Sequence, residues 1–282
     1  MGSAVPGHET SALLVGPGER LEALFPGETD RAGTPAAALE QMANKHYDVV
    51  VVNHATDREL TEHHLSYLRT AKGLHPDSRL IVLAPNTVTA NAIEELRQGT
   101  FAYFSEPFDL RAVKEAILLA IQLPNRSEGI EVLSAVPDFI TVRLRCSLET
   151  ADRLTQFMRE LPGELSEKDR RALSEAFREM LLNAIEHGGK LNPNEWVRVS
   201  RIRTGRTILY HIKDPGEGFA REDLKHAALN NPPEDPVAHV EYRNSLDMRP
   251  GGFGMLIASQ LVDEVIYNQK GNEVILIKHL AH

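Results

Sequence analysis

With 282 residues the chain lies near the size at which a single hydrophobic core stops growing, so two domains are expected; 42% hydrophobic, 25% charged and 6% aromatic residues exclude a disordered or fibrous polymer. A formal charge of −9 speaks against direct nucleic-acid binding, which relies on Lys and Arg neutralising phosphates, and the single cysteine, Cys146, excludes an internal disulfide or a thiolate metal cluster. No apolar run approaches the ~20 residues of a membrane span, and the start MGSAVPGHET has neither a basic nor an apolar leader region, so a cytoplasmic protein with no membrane association is expected.

From the N-terminus, the apolar run Ala12 to Val15 reads as a strand, and Glu19 to Leu24 as a helix beyond Gly16 and Pro17. A helix across Ala36 to Lys45, a strand Asp48 to Val52, a helix across Glu59 to Lys72 and a strand Arg79 to Ala84 follow. A helix over Thr89 to Gln98, a strand Phe101 to Phe104 and a helix Leu110 to Leu123 complete the pattern. Unbroken Val and Ile runs mark strands buried on both faces, and their alternation with helices predicts an α/β doubly wound parallel sheet.

In order and spacing, residues 10–124 resemble the receiver domains of response regulators in two-component signalling (CheY-like). The segment Gly99 to Phe108, an aromatic strand followed by Pro107-Phe108, carries most of that resemblance. A receiver holds a divalent cation beside an acceptor aspartate, and a hard cation takes oxygen ligands. Here Gly16 and Pro17 stand where the acidic pair is expected, Asn53 at the acceptor position, Ala84 at the hydroxyl position and Glu106 where a lysine is expected. An amide cannot form an acyl phosphate, so a pseudo-receiver that cannot be phosphorylated is expected. Asp48 and Asp57 lie before and beyond the acceptor position, and His63-His64 reads as a solvated helix face. The plain alternative is a flavodoxin-like sheet in which the Pro107 turn is accidental.

The turn-rich stretch Pro124 to Gly129 reads as a domain boundary near residue 128, and Ile130 to Val136 as a short coupling segment. Phe139 to Cys146 alternates as a strand does, and Ser147 with Thr150 offers a cap for a helix running to about Leu161, closed by Gly163. A long helix is expected from Ser166 to His187, because Leu173, Phe177, Met180, Leu181, Ala184 and Ile185 recur at helical spacing. Strands Trp196 to Arg203 and Thr207 to Lys213 form a hairpin through Thr204 to Arg206. A loop-rich region from Ala220 to Arg249 leads to a helix over Met255 to Val262 and a terminal hairpin, Glu264 to Lys278, turning at Lys270 to Asn272. Helices on one face of an antiparallel or mixed sheet make an α+β sandwich.

Three motifs sit in this second half. Glu179 and Asn183, four residues apart, share one helix face and can share one metal and one water. Asp214-Pro-Gly-Glu-Gly218 follows a strand, so a carboxylate emerges beside residues without side chains, where a flat base can approach. Pro250-Gly-Gly-Phe-Gly254 precedes a helix, whose N–H groups and positive end attract phosphate. Each motif alone is common. Together and in this order they resemble the Bergerat-type (GHKL) ATPases, among them histidine kinases, gyrase, chaperones and the anti-sigma serine kinases, and the resemblance spans residues 129–282.

The resemblance implies the Bergerat ATP-binding fold, with ATP and Mg²⁺ as cofactors. It places a general base at Glu179, the metal-holding amide at Asn183, adenine recognition at Asp214, and admission of the nucleotide at Gly216, Gly218, Gly251, Gly252 and Gly254. It also puts His187 beside the phosphates; the plain reading of that histidine is a helix-end side chain that satisfies terminal carbonyls. The string Asn183 to Gly188 and the turn Gly251 to Ile257 look most like the anti-sigma kinases. The implied function is a serine/threonine protein kinase that phosphorylates an anti-anti-sigma, STAS-domain partner and also binds a sigma factor. The first domain would serve as a regulatory, docking or homodimerising surface through Leu110 to Leu123. A catalytically idle, nucleotide-dependent binding scaffold is the competing reading. A histidine-kinase-like module is another, although too little chain separates the domains for a dimerising hairpin with an acceptor histidine.

Overall fold

The computed structural model describes residues 11–54, 67, 70–85, 89–123, 129–161, 165–219 and 254–280. The chain divides into two compact units, Met1–Ser127 and Glu128–His282.

In the first unit, strands β1 (Ala12–Val15), β2 (Thr29–Ala32), β3 (Val49–Asn53), β4 (Arg79–Ala84) and β5 (Ala102–Ser105) form a sheet in the order β2-β1-β3-β4-β5. Every pairing is parallel. All residues of β1, β3, β4 and β5 are buried, as their continuous apolar sequence requires. Helices α1 (Glu19–Glu22), α2 (Pro35–Asn44) and α3 (Thr89–Arg97) lie between strands, and α4 (Leu110–Gln122) follows β5. Thr34 caps α2 by accepting the Ala37 N–H, with Pro35 at the first helical position, and Asp109 caps α4 by accepting the Arg111 N–H. The buried Arg79 guanidinium donates to the carbonyls of Ala120 and Leu123 and so ties the end of α4 to the start of β4.

Two details depart from the sequence reading. Strand β2 is additional: its Thr-Asp-Arg-Ala sequence lies at the sheet edge, where one flank is open and only Ala32 is buried, so no apolar run announces it. Helix α1 is a single turn, Glu19–Glu22, with Ala23 as its C-cap, and does not reach Leu24. Most of the helix expected over 59–72 lies outside the described residues, as do Asp57, His63 and His64; residues 70–74 are helical.

In a sheet of this order the neighbours of β1 lie on opposite sides, and the crevice at that switch point is where such folds place a ligand. Here Gly16 to Gly18 follow β1, and Asn53 ends β3. The Asn53 amide donates to the Pro17 carbonyl across the crevice. Gly16 adopts φ +90°, and a Cβ there would lie 2.5 Å from the Asn53 carbonyl oxygen.

The second unit contains β6 (Ile130–Val136), β7 (Phe139–Arg145), β8 (Trp196–Arg203), β9 (Thr207–Lys213), β10 (Glu264–Tyr267) and β11 (Glu273–His279). The sheet runs β10-β11-β9-β8-β7-β6, every pair antiparallel. Residues 130–136, read from sequence as a coupling segment, are the edge strand, with a register shift between Val132 and Ser134; half-exposed residues there blur the alternation.

Helices α5 (Leu148–Glu160), α6 (Glu167–Asn183) and α7 (Gly254–Leu261) complete the unit. Ser147 caps α5 by accepting the Thr150 N–H, and Ser166 caps α6 by accepting the Asp169 N–H. Alternate residues of the sheet, among them Ile140, Val142, Leu144, Val199, Tyr210, Ile212 and Leu276, are buried, and so are Leu154, Phe157, Phe177, Met180 and Leu181 on α5 and α6. The Phe177 and Tyr210 rings stand 4.5 Å apart, and each such apolar side chain contributes about 1.5–3 kcal/mol by leaving water. Among the described residues no helix is long and apolar enough to cross a membrane.

Candidate functional site

The α-helix that carries Glu179 and Asn183 stops earlier than its apolar spacing predicts. After Asn183 the chain makes a π-helical turn, Ala184–Gly188, closed by the Gly189 N–H donating to the Ala184 carbonyl at 2.8 Å. Such wide turns hold one extra residue and recur at functional sites. Directly beyond it Lys190 and Leu191 take φ 53° and 52°, conformations that side chains other than glycine rarely adopt and that cost on the order of 1–3 kcal/mol each.

The turn delivers two glycines into contact with another part of the unit. A Cβ on Gly188 would lie 2.3 Å from Asp214 Cγ, and one on Gly189 would lie 2.2 Å from Cys146 Sγ. Only hydrogen at these positions permits the approach. Gly216 closes the same group, since a Cβ there would lie 2.8 Å from Asp214 Oδ1 and 3.0 Å from Gly188 Cα.

Asp214 directly follows β9, half-buried, and its Oδ1 accepts the Gly216 N–H at 2.7 Å. Burial raises its carboxyl above the usual aspartate value, against the opposing pull of that N–H and of Lys270. The Cys146 thiol is pushed up to about 11, first by burial and then by the charges of Glu195 and Asp214. It is therefore neutral at ordinary pH, packed beneath Gly189 rather than exposed as a nucleophile.

The Asp214 loop lies against the turn between β10 and β11. Asp214 donates its N–H to the Asn272 carbonyl and Phe219 donates to the Lys270 carbonyl, each at 3.0 Å. Between these bonds the backbones touch: Gly218, at φ +83°, has its absent Cβ position 1.8 Å from the Lys270 carbonyl oxygen. Gly271, at φ +80°, has its own 2.3 Å from the Phe219 carbonyl oxygen.

Glu179 and Asn183 form a second group with the start of α7. A Cβ on Gly254 would lie 2.6 Å from Glu179 Oε2 and 3.6 Å from Asn183 Nδ2. The carboxylate and the amide, both half-buried, thus face the N-terminal end of a helix, where backbone N–H groups are unpaired by the helix itself. His187 is exposed on the π turn. Gly251 and Gly252 lie outside the described residues, as do Gly163 and the loop-rich 220–249 region. Sequence reasoning quoted Gly188 within its motif yet gave it no role, and it missed Gly189, Lys270 and Asn272. The doubled glycine after His187 is the signal that a tight approach was coming.

Residues 144–278 match the family model described as "Histidine kinase-like ATPase domain". A curated relative, "Serine-protein kinase RsbW" of Oceanobacillus iheyensis, is 30% identical over 110 residues, 39% of this chain and 65% of the relative. "Anti-sigma F factor" of Anoxybacillus flavithermus is 32% identical over 107 residues, 36% of this chain and 64% of the relative. The chain thus spans slightly less than two thirds of the length of either. For the first unit, a solved response regulator receiver domain protein from Clostridium thermocellum is 21% identical, with a TM-score of 0.35, covering 40% of this chain and 94% of that one. The second unit carries a histidine kinase-like ATPase domain of the Bergerat (GHKL) type, and the first has the strand order and parallel pairing of a receiver-like sheet.

The residues present fit an adenine nucleotide. A partly desolvated carboxylate, able to accept from an exocyclic amino group, is packed between two glycines whose missing side chains let it sit against their backbone, and an acid–amide pair faces a helix N-terminus suited to phosphate.

Proposed function

We propose that the protein is an ATP-dependent serine/threonine kinase of the anti-sigma-factor type that phosphorylates an anti-anti-sigma, STAS-domain partner. Residues 129–282 would be the kinase domain, and residues 10–124 a receiver-like regulatory unit that takes no phosphate. The observation that carries this reading is the convergence of Glu179, Asn183 and Gly254 in a domain whose relatives bear the names of a serine-protein kinase and an anti-sigma factor.

Asp214 recognises the adenine amino group, with Gly188, Gly216 and Gly218 permitting the close backbone packing that holds its loop. Asn183 holds Mg²⁺, which when bound offsets the negative charge of the transferred phosphoryl group. Glu179 accepts the proton of the incoming hydroxyl. Gly251, Gly252 and Gly254 give the phosphates backbone N–H groups, and His187 lies at their side. The deciding experiment incubates the full chain with γ-labelled ATP, Mg²⁺ and purified STAS-domain proteins. Label on a partner serine or threonine supports the kinase, whereas nucleotide-dependent binding without label supports the scaffold.

Asp214→Asn is expected to weaken ATP binding by about one to two orders of magnitude, because a buried hydrogen bond to a charged acceptor is worth roughly 1.5–3 kcal/mol. Wild-type affinity in calorimetry would move the base site elsewhere. The sign with pH follows from the same group. An acid raised by burial is protonated at a higher pH than a free aspartate, so adenine recognition is lost on acidification at a pH above the usual aspartate value. Asp214→Asn removes that component of the pH profile.

The first unit gives a third expectation. With Asn53 in place of a carboxylate and its amide bonded to the Pro17 carbonyl, small phosphodonors leave the protein unlabelled there, and beryllofluoride does not bind. Fluorine NMR of the full chain with beryllofluoride checks this, and a protein-bound signal that needs Asn53 refutes it.

A further inference from the structure

The turn between β10 and β11 carries two asparagines, Asn268 and Asn272, to which the phosphoryl-transfer scheme gives no part. Asn272 is only 8% exposed. A buried amide has two donors and an acceptor to satisfy locally, and here the partners form a directed chain. Asn268 Oδ1 accepts the N–H groups of Gly271, Asn272 and Glu273 at 2.7, 3.1 and 3.3 Å, which fixes the turn. Asn268 Nδ2 donates to Asn272 Oδ1 at 2.9 Å, so the Asn272 amide is oriented with its own Nδ2 towards the Gly216 carbonyl, 3.3 Å away. Lys270 Nζ donates to the same carbonyl at 3.2 Å. Gly216, held from that side, donates its N–H to Asp214 Oδ1.

We propose that Asn272, oriented by Asn268, is a positioning residue for base recognition. By fixing Gly216 it keeps one carboxylate oxygen of Asp214 occupied by a backbone N–H and aims the other at the exocyclic amino group of adenine. This rests on Asp214 being the base-recognising residue. ATP and its analogue without the 6-amino group, purine riboside triphosphate, differ only at that contact. Selectivity between them therefore reads the aim of the carboxylate, whereas general loosening of the domain weakens both ligands alike.

The test is calorimetric titration of the full chain with ATP and with purine riboside triphosphate, for the wild type, Asp214→Asn and Asn272→Ala. The wild type should prefer ATP, and Asn272→Ala should lose about tenfold of that preference while binding the analogue within about twofold of wild type. Asn272→Ser, which leaves a hydroxyl in the turn, replaces the alanine variant if circular dichroism shows that variant unfolded, with the same expectation. If the wild type binds both ligands equally, Asp214 is not the base site, and the positioning role falls with it. If Asp214→Asn abolishes the preference but the Asn272 variants keep it in full, the positioning role alone is overturned.

Discussion

Glu179→Ala should lower phosphotransfer by about 10² to 10⁴, the usual contribution of a general base, while ATP affinity stays within a few-fold of wild type. The reason is geometric. Glu179 faces the start of α7 together with Asn183, ahead of the π turn in the chain, whereas Gly188, Asp214 and Gly216 pack on one another, so deleting the Glu179 carboxylate leaves that group as it is. Asn183→Ala should behave differently and weaken both Mg²⁺-ATP binding and transfer, because the metal proposed to sit there would serve both. Single-turnover transfer assays beside calorimetry separate the two. Equal losses of affinity in both variants would mean that Glu179 binds rather than reacts, and absence of transfer in the wild type with any STAS partner would leave the scaffold reading standing.

The second large effect is expected at Gly218. Its positive φ costs a residue with a side chain roughly 1–3 kcal/mol. In addition a Cβ would sit 1.8 Å from the Lys270 carbonyl oxygen and 2.7 Å from its carbon, both backbone atoms that cannot swing aside. Gly218→Ala must therefore separate the Asp214 loop from the β10–β11 turn, lowering the melting temperature and abolishing measurable ATP binding together. Gly205→Ala is the matched control: nothing lies within 4 Å of its Cβ position, and a surface change of this kind stays within about 0.5 kcal/mol. Thermal scans and calorimetry on both variants check the contrast, and a Gly218→Ala protein that binds ATP normally would show that the two loops need not cross so closely.

The elements that could be read from the chain were those whose physics is local. Val49 to Val52 and Leu80 to Leu83 are buried on both sides, and an unbroken apolar run can satisfy no other environment. The hairpins at 196–213 and 264–279 announce themselves by alternation around a glycine turn. Strand β2 could not be read, because an edge strand needs few apolar residues. The end of α6 escaped for a different reason: Ala184 and Ile185 continue the helical spacing and are buried, so periodicity runs straight through a turn whose widening shows only in its hydrogen bonds. At the site, Glu179, Asn183 and Asp214 stood out because carboxylates and amides in glycine-rich company are conspicuous. Asn272 did not, because its part depends on a long-range contact with Gly216 that one sequence cannot reveal.

The seam between Gly16, Pro17 and Asn53 bears on how readily a phosphoacceptor could be built at this crevice. Introducing a carboxylate by Asn53→Asp alone would set a negative oxygen against the Pro17 carbonyl in place of a donor. An acidic residue at position 16 would have to force its Cβ into the Asn53 carbonyl oxygen from a backbone turned to φ +90°. Neither step is tolerable before the other, and both demand that the connection between β1 and α1 first be rebuilt. A phosphate-accepting carboxylate at this crevice therefore lies several simultaneous substitutions away from the present turn.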